Sequence, residues 1–449
     1  MTSMRQSITR NTVFNFAGIG VPLLVGIVVL PIITSSLGPA RFGLLGLTLA
    51  LLEYSNLFNF GLGLATTKHV AERLARGDGD VSQLVVGSVL SQTALGALGG
   101  LMIALAAPIL THHVFVIPEV MKSEALSVFR ILGLMVPATL LLVSLRSVLE
   151  AAHRFDISNA IRIPGSIASF LIPAIAASRG HSLVAIMLML LASRLVVCAA
   201  MFIAARIAIP SLHWSLPENW SVMRPLLVFG GWLSLSNVIS PLLIYVDRLM
   251  LGAFIGLTAV GYYTAPFDAV MRLLIVPASL VGALFPSVTG MHATGDTASL
   301  KRIFGKAVQN ISLILAGPAL LLVVAGPIVL RLWLGDEFAA AGGTALRILA
   351  FGVFMNALAH VPSGYLAALG RPDISAKFHL VELLVHVPVA WWLITRFGIT
   401  GAAIAWSMRV TFDTALLLVA ASRVMGTSFR ELMTARPSPL TVKVAQGSC

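Results

Sequence analysis

The sequence predicts an all-α integral membrane protein of about twelve transmembrane helices, built as two six-helix lobes related by a pseudo-two-fold axis along the membrane normal. Three observations carry this. Of the 449 residues, 58% are hydrophobic and 11% charged, against roughly 25% charged in a soluble domain. Apolar runs long enough to cross a bilayer recur along the whole chain, whose mean hydropathy is +0.95. Short motifs in the first half also return in the second at a nearly constant separation.

The apolar segments fall near residues 12–36, 42–65, 83–110, 125–148, 161–178 and 182–207, then near 224–251, 258–288, 303–333, 339–369, 375–396 and 400–422. Each matches the ~20 residues that a helix needs to span the hydrocarbon core. The first run, Phe14 to Ile33, follows Arg5 and Arg10 but has no convincing cleavage site, so it reads as a span and not as a signal peptide. This organisation predicts an N-terminal lobe over 1–210, a C-terminal lobe over 211–423 and a basic cytoplasmic tail over 424–449. The central connection, with Trp214 and Trp220, reads as an interfacial linker.

Basic residues are distributed unevenly. One side of the predicted membrane collects nineteen Lys and Arg, among them Arg5, Lys68, Arg154, Lys301, Arg371 and Arg423. The other holds six: Arg41, Lys122, Arg179, Arg248, Arg331 and Arg396. The positive-inside rule therefore puts both termini in the cytoplasm, which requires an even number of spans. The net charge of +12 belongs mainly to those loops facing an anionic leaflet and says little about cargo.

The internal repeat is read from residues. Leu37-Gly38 and Phe42-Gly43 lie 218 residues before Ile255-Gly256 and Val260-Gly261, and Gly77-Asp78 lies 218 before Gly295-Asp296. Arg154-Phe155-Asp156-Ile157-Ser158 returns as Arg371-Pro372-Asp373-Ile374-Ser375 at a separation of 217. Such repeats define architecture before any residue has a role. Two six-span halves in one orientation enclose a cavity that can open to either side, which is the geometry of alternating access. The glycines are expected at outer turns, for positive φ or close helix approach. In the repeated loop motif, Asp and Ser are expected to cap the next helix.

Asn11, Asn15, Pro31, Leu37-Gly38, Phe42-Gly43 and Gly61-Leu62-Gly63, followed by Asp247-Arg248, Gly256, Val260-Gly261-Tyr262 and Pro286, give a pattern that resembles the polysaccharide-biosynthesis flippases. Those proteins move undecaprenyl-pyrophosphate-linked oligosaccharides, and their superfamily includes multidrug and toxic-compound extruders and lipid II flippases. The resemblance implies a two-lobed, twelve-helix fold in the cytoplasmic membrane, with membrane lipids around it and a lipid-linked oligosaccharide as substrate. It implies no cofactor. Some flippases of the superfamily carry two further helices that this chain lacks.

Five arginines fall within predicted spans: Arg130, Arg194, Arg272, Arg347 and Arg409. Charge inside a membrane normally faces protein or water, and a guanidinium binds phosphate oxygens in a fork. Arg272, Arg194 and Arg409 lie nearest mid-span and are the candidate pyrophosphate ligands. The alternative is that they only hold helices together, since Asp268 with Arg272 and Arg409 with Asp413 have i,i+4 spacing. Arg130 and Arg347 lie nearer span ends and are expected to snorkel. Acidic residues in spans are Glu53, Asp247, Asp268, Glu382 and Asp413, candidates for coupling to protons or sodium. Asp247 beside Arg248 is the best gate or ion-pair candidate. Kinks are expected at Pro22, Pro31, Pro241, Pro266, Pro277 and Pro286.

Competing classes are weaker. A membrane polymerase or ligase needs a sheltered catalytic constellation and usually a large external loop, and no connection here exceeds about twenty residues. His112-His113 have no third ligand in sequence, which argues against metal catalysis. Cys198 and Cys449 suggest neither a disulfide nor a metal site. Loops this short argue against nucleic-acid binding, and no enzyme activity is expected. A multidrug or cation extruder on the same fold is the nearer alternative.

Overall fold

The computed structural model describes residues 2–59, 61–76, 81–210, 212–213 and 242–426. The side chains of Asn11 and Asn15, the residues Gly77-Asp78, Trp214, Trp220, Arg224 and Pro241, and the tail beyond 426 with Cys449 lie outside the described residues. Every regular element among the described residues is helical. They are α1 (Thr2–Tyr54), α2 (Leu62–Arg76), α3 (Ser82–Ile109), α4 (Glu119–Ala151), α5 (Phe155–Ser178), α6 (Leu183–Ala208), α7 (242–254), α8 (Leu257–Met271), α9 (Ile275–Ala293), α10 (Thr297–Leu334), α11 (Asp336–Ala368) and α12 (Pro372–Val424).

Nine helical segments among the described residues are long and apolar enough to cross a membrane. Two helices, α1 and α12, are long enough to hold two spans each. A straight 53-residue helix would be about 80 Å long, against a hydrocarbon core of about 30 Å. The backbone leaves helical geometry once in each, at Gly38 (φ 72, ψ 165) and at Gly398 (φ 55, ψ −128). Large apolar side chains such as Leu101, Leu105, Leu320 and Leu332 stand exposed along α3 and α10, as helices solvated by lipid require.

The repeat is visible in backbone conformation. Gly38 and Gly256 both have positive φ, as do Gly180 and Gly398, also 218 residues apart, and His153 and Gly370, 217 apart. The second motif glycine serves close approach. A Cβ on Gly43 would collide with the Leu257 carbonyl oxygen and lie 2.9 Å from the Gly261 amide nitrogen. A Cβ on Gly261 would collide with the Pro39 carbonyl oxygen and lie 3.3 Å from the Gly43 nitrogen. Pro39 and Leu257 are themselves repeat equivalents, as are Gly46 and Thr264, which also face each other across the same crossing. A two-fold axis produces this reciprocity, because residues beside it meet their own equivalents.

Two compact units can be distinguished. The first comprises Met1–Ala269, Pro327–Ala345 and Val387–Ala403. In it α3 and α4 cross at backbone distance, with Gly96 against Pro137 and Gly100 against Gly133. Thr66, Ser88 and Ser144 form a buried chain of hydroxyl hydrogen bonds (2.5 and 3.3 Å) linking α2, α3 and α4. Pro31 has no N–H to give the Ile27 carbonyl, and the Trp333 indole donates to that oxygen instead at 2.9 Å. At the end bearing Gly38, Glu124 accepts from Arg41 (2.9 Å) and from the Leu183 amide that opens α6 (3.1 Å). The second unit comprises Val270–Gly326, Leu346–His386 and Ile404–Cys449. Its core sets Phe304 edge-on to Tyr365 at 5.0 Å, and Ser407 donates to the Ile348 carbonyl at 3.0 Å beside Gly352.

One local expectation is corrected. In the repeated loop motif neither Asp nor Ser occupies the N-cap: Arg154 and Arg371 do, without a side-chain cap. Asp156 and Asp373 sit two residues on and accept a two-nitrogen fork from those arginines (3.1 and 3.3 Å; 3.0 and 3.5 Å). The acidic group still favours the helix N-terminus electrostatically, but its hydrogen bonds go to the arginine.

Asp296 is a true cap. It precedes α10 and accepts the Ser299 amide at 3.0 Å, and that backbone bond holds its carboxyl below the ordinary carboxylate range. A carboxyl depressed in the folded state stabilises above its unfolded pKa, about 3.9, and loses that contribution as pH falls through the folded value. Asp296→Ala is therefore expected to lower the unfolding midpoint slightly at neutral pH. The difference from the parent should close as pH drops below about 3.9 in a pH series of melting curves.

Candidate functional site

The charged side chains of the spans gather into two groups. The first lies within the first unit. Arg194 on α6 donates to the Thr139 hydroxyl on α4, and the Glu53 carboxylate of α1 acts electrostatically on both Arg194 and Tyr245. Next to Glu53, the Tyr54 hydroxyl donates to the Leu242 carbonyl of α7 at 3.2 Å, and its ring meets Tyr245 edge-on at 6.1 Å.

One turn beyond Tyr245, the Arg248 guanidinium is sandwiched between the rings of Tyr245 (5.4 Å) and Phe267 (5.0 Å) and ion-pairs with Asp268 of α8. A guanidinium between two aromatic faces keeps its charge in a poorly hydrated place through cation–π attraction. Asp247, fully buried, acts on Tyr54. Arg194, Glu53, Asp247, Arg248 and Asp268 thus belong to one neighbourhood on α1, α6, α7 and α8.

The second group lies within the second unit. Arg409 donates to Glu382 at 3.3 Å, joining the two halves of α12 across the Gly398 break. The His379 ring nitrogen lies 3.9 Å from Asp413, and Glu382 and Asp413 are almost completely buried. Arg272 stands in the 3-10 turn Arg272–Leu274 that separates α8 from α9, half-buried. That turn falls where Pro277 has no N–H for the Leu273 carbonyl. Arg347 is exposed and donates to the Val324 carbonyl at 3.1 Å, and Arg130 is exposed as well, in keeping with snorkelling.

Longer-range pairings appear that the i,i+4 spacings do not predict. Asp268 pairs with Arg248, twenty residues earlier, and Arg409 pairs with Glu382 instead of Asp413. Asp247, next to Arg248 in sequence, is not its ion-pair partner. Sequence reasoning did not single out Tyr245, Phe267 or His379. The i,i+3 spacings Tyr245–Arg248 and His379–Glu382 were available signals, since each pair shares a helix face.

Chemically, the first group offers a guanidinium with donors to spare. Arg194 engages Thr139 through one nitrogen of a five-donor fork, and such a fork recognises phosphate oxygens.

Comparison with known proteins agrees with this architecture. A family profile described as "Polysaccharide biosynthesis protein" matches residues 8–292, and one described as "MatE" matches residues 233–392. A Shigella flexneri protein named "Putative O-antigen transporter" is 28% identical over 413 residues, 92% of this chain and 97% of its own length. A Haloferax volcanii protein named "Probable flippase AglR" is 23% identical over 200 residues, 44% of this chain and 41% of that protein. Among solved structures, an inward-facing multidrug resistance MATE family transporter of the MOP superfamily superposes with a TM-score of 0.77 at 15% identity, covering 93% of this chain and 94% of that one. That likeness establishes a shared fold.

Proposed function

The chain belongs to the polysaccharide biosynthesis protein family, and on that footing we propose that it is a flippase for a polyprenyl-pyrophosphate-linked oligosaccharide. It works in the cytoplasmic membrane by alternating access, with both termini in the cytoplasm, and serves surface-polysaccharide synthesis. The observation that carries the reading is Arg194, a guanidinium inside a membrane span with Glu53 nearby and, among the described residues, a single hydrogen-bond partner, Thr139. An anionic headgroup crossing a low-dielectric interior needs such a partner. Names given to relatives, "Putative O-antigen transporter" and "Probable flippase AglR", support the same class of cargo.

Arg272, in its helix break, is assigned the same role as a phosphate ligand. Arg409, which Glu382 engages, is assigned instead to its acidic group. Asp268 and Arg248 form the gate pair, with Tyr54 and Tyr245 beside it. The crossing at Gly43 and Gly261, together with the Val116 amide donating to the Gly252 carbonyl at 2.9 Å, supports a conformer closed at the end that the charge bias makes external. Cargo would then load from inside. The lobes implied by the repeat, 1–210 and 211–423, are the moving bodies.

The test is transport of a labelled polyprenyl-pyrophosphate oligosaccharide by the purified chain in liposomes. Arg194→Ala and Arg272→Ala are each expected to reduce flipping at least tenfold, about 1.4 kcal/mol of lost headgroup binding or more, at unchanged expression and melting temperature. Full activity in both variants would overturn the phosphate role. The MatE profile match and the MATE fold favour one second reading, a cation extruder. Under it the liposomes would move lipophilic cations and leave the glycolipid in place.

A further inference from the structure

The acidic group on α12 has a feature that pairing with Arg409 does not explain. Glu382 and Asp413 are 4% and 5% exposed, and each has one carboxyl oxygen, Oε1 and Oδ1, with no hydrogen-bond partner. Buried polar atoms are nearly always satisfied; the Arg409 Nε is also without a partner, so the guanidinium does not serve the two orphaned acceptors, which lack a donor. The charges point the same way: two carboxylates and one guanidinium leave the buried group one negative charge in excess, a costly state in a low-dielectric interior.

We infer that Glu382 and Asp413 bind one proton between them, as a carboxylic acid hydrogen-bonded to a carboxylate. A proton on Glu382 Oε1, donated to Asp413 Oδ1, satisfies both orphaned oxygens with one particle and brings the group, with Arg409, to zero net charge. Like-charged carboxyls in one site behave this way, because the second cannot ionise next to the first.

The surroundings suit a proton better than a metal ion. One donor atom each from His379, Glu382 and Asp413 lies within 4.8 Å of the others, whereas calcium or magnesium takes about six ligands or more. Arg409, 3.3 Å from Glu382, repels any added cation, and a divalent ion would leave a net positive charge. His379 is partly exposed and 3.9 Å from Asp413, which makes it the entry path for the proton. The other titratable groups that bear on the pair are His360 of α11, which feels the Asp413 charge, and His386, four residues from Glu382 and buried. If the transport reading holds, this proton is its coupling ion, and only that use of the site rests on it.

The experiment is infrared difference spectroscopy of the full chain in lipid nanodiscs, stepping pH at fixed ionic strength, without glycolipid. The expected result is one protonated-carboxyl band per chain that appears as pH falls, is lost in Glu382→Gln and in Asp413→Asn, persists in His379→Gln, and does not move when potassium is exchanged for sodium. A wild-type spectrum without the band overturns the inference with no variant needed. So does a band that survives in either amide variant, or one that sodium displaces at constant pH. Because no glycolipid is present, failure here leaves the flippase reading standing, and failure of glycan transport leaves the proton site standing.

Discussion

Asp268→Ala is expected to be the most destabilising single substitution of a charged residue in the first unit. It leaves the Arg248 guanidinium, 5% exposed at its side chain, without the carboxylate it pairs with. Stripping the partner from a buried charge is strongly destabilising, and because the Asp268 side of this pair is 42% exposed the loss is about 1 to 3 kcal/mol. The rings of Tyr245 and Phe267 still flank the guanidinium, but that contact is present in the parent as well and does not offset the loss.

Arg248→Met should cost less, because the Asp268 side chain is 42% exposed and water can take over its carboxylate. The double variant should be more stable than the sum of the singles by about 1 to 3 kcal/mol, as coupled neighbours are. Unfolding midpoints in detergent for the four proteins check the order. Equal, small losses in both singles would mean that the pair is solvated and carries no gate.

Gly43→Ala has the second large effect, on the transport cycle. The added methyl meets main chain of α8, the Leu257 carbonyl and the Gly261 nitrogen, and neither can rotate away. The crossing must widen, which disfavours the conformer in which α1 and α8 touch and leaves any separated conformer untouched. A penalty of about 3 kcal/mol would shift a two-state balance more than a hundredfold. Transport should fall at least tenfold while the chain still folds.

Gly261→Ala should behave alike, since the contact is reciprocal, whereas Gly46→Ala meets the Thr264 side chain at 3.1 Å and should be mild. Labelling of cysteines placed near Gly38 and near Tyr54, at opposite ends of the second span of α1, reads the shift. If Gly43→Ala and Gly261→Ala both match the parent, the crossing is not part of the cycle.

The membrane class, the span plan and the two-fold repeat were legible in sequence, because lipid imposes length and composition on every span and because duplication leaves paired residues. The glycine motif was legible in both its uses: Gly38 and Gly256 take positive φ, and Gly43 and Gly261 permit close approach. What sequence spacing could not deliver were the partners of the intramembrane charges. An i,i+4 rule sees one helix, whereas Arg248 reaches Asp268 from α7 to α8, Arg194 reaches Thr139 from α6 to α4, and Arg409 reaches Glu382 across a break in α12. Arg154 and Arg371 show the same limit on a local scale. Asp at the start of a helix suggests a cap, but the neighbouring guanidinium offers two charged donors and takes the carboxylate first.

The central claim is that this chain carries a lipid-linked oligosaccharide outward across the cytoplasmic membrane. The most direct measurement deletes the gene in its host and quantifies lipid-linked oligosaccharide in the cytoplasmic leaflet together with surface polysaccharide. The flippase predicts accumulation inside and loss outside, both reversed by the intact gene. Unchanged glycan in both places, with greater sensitivity to cationic drugs, would contradict it and identify a drug extruder on the same scaffold.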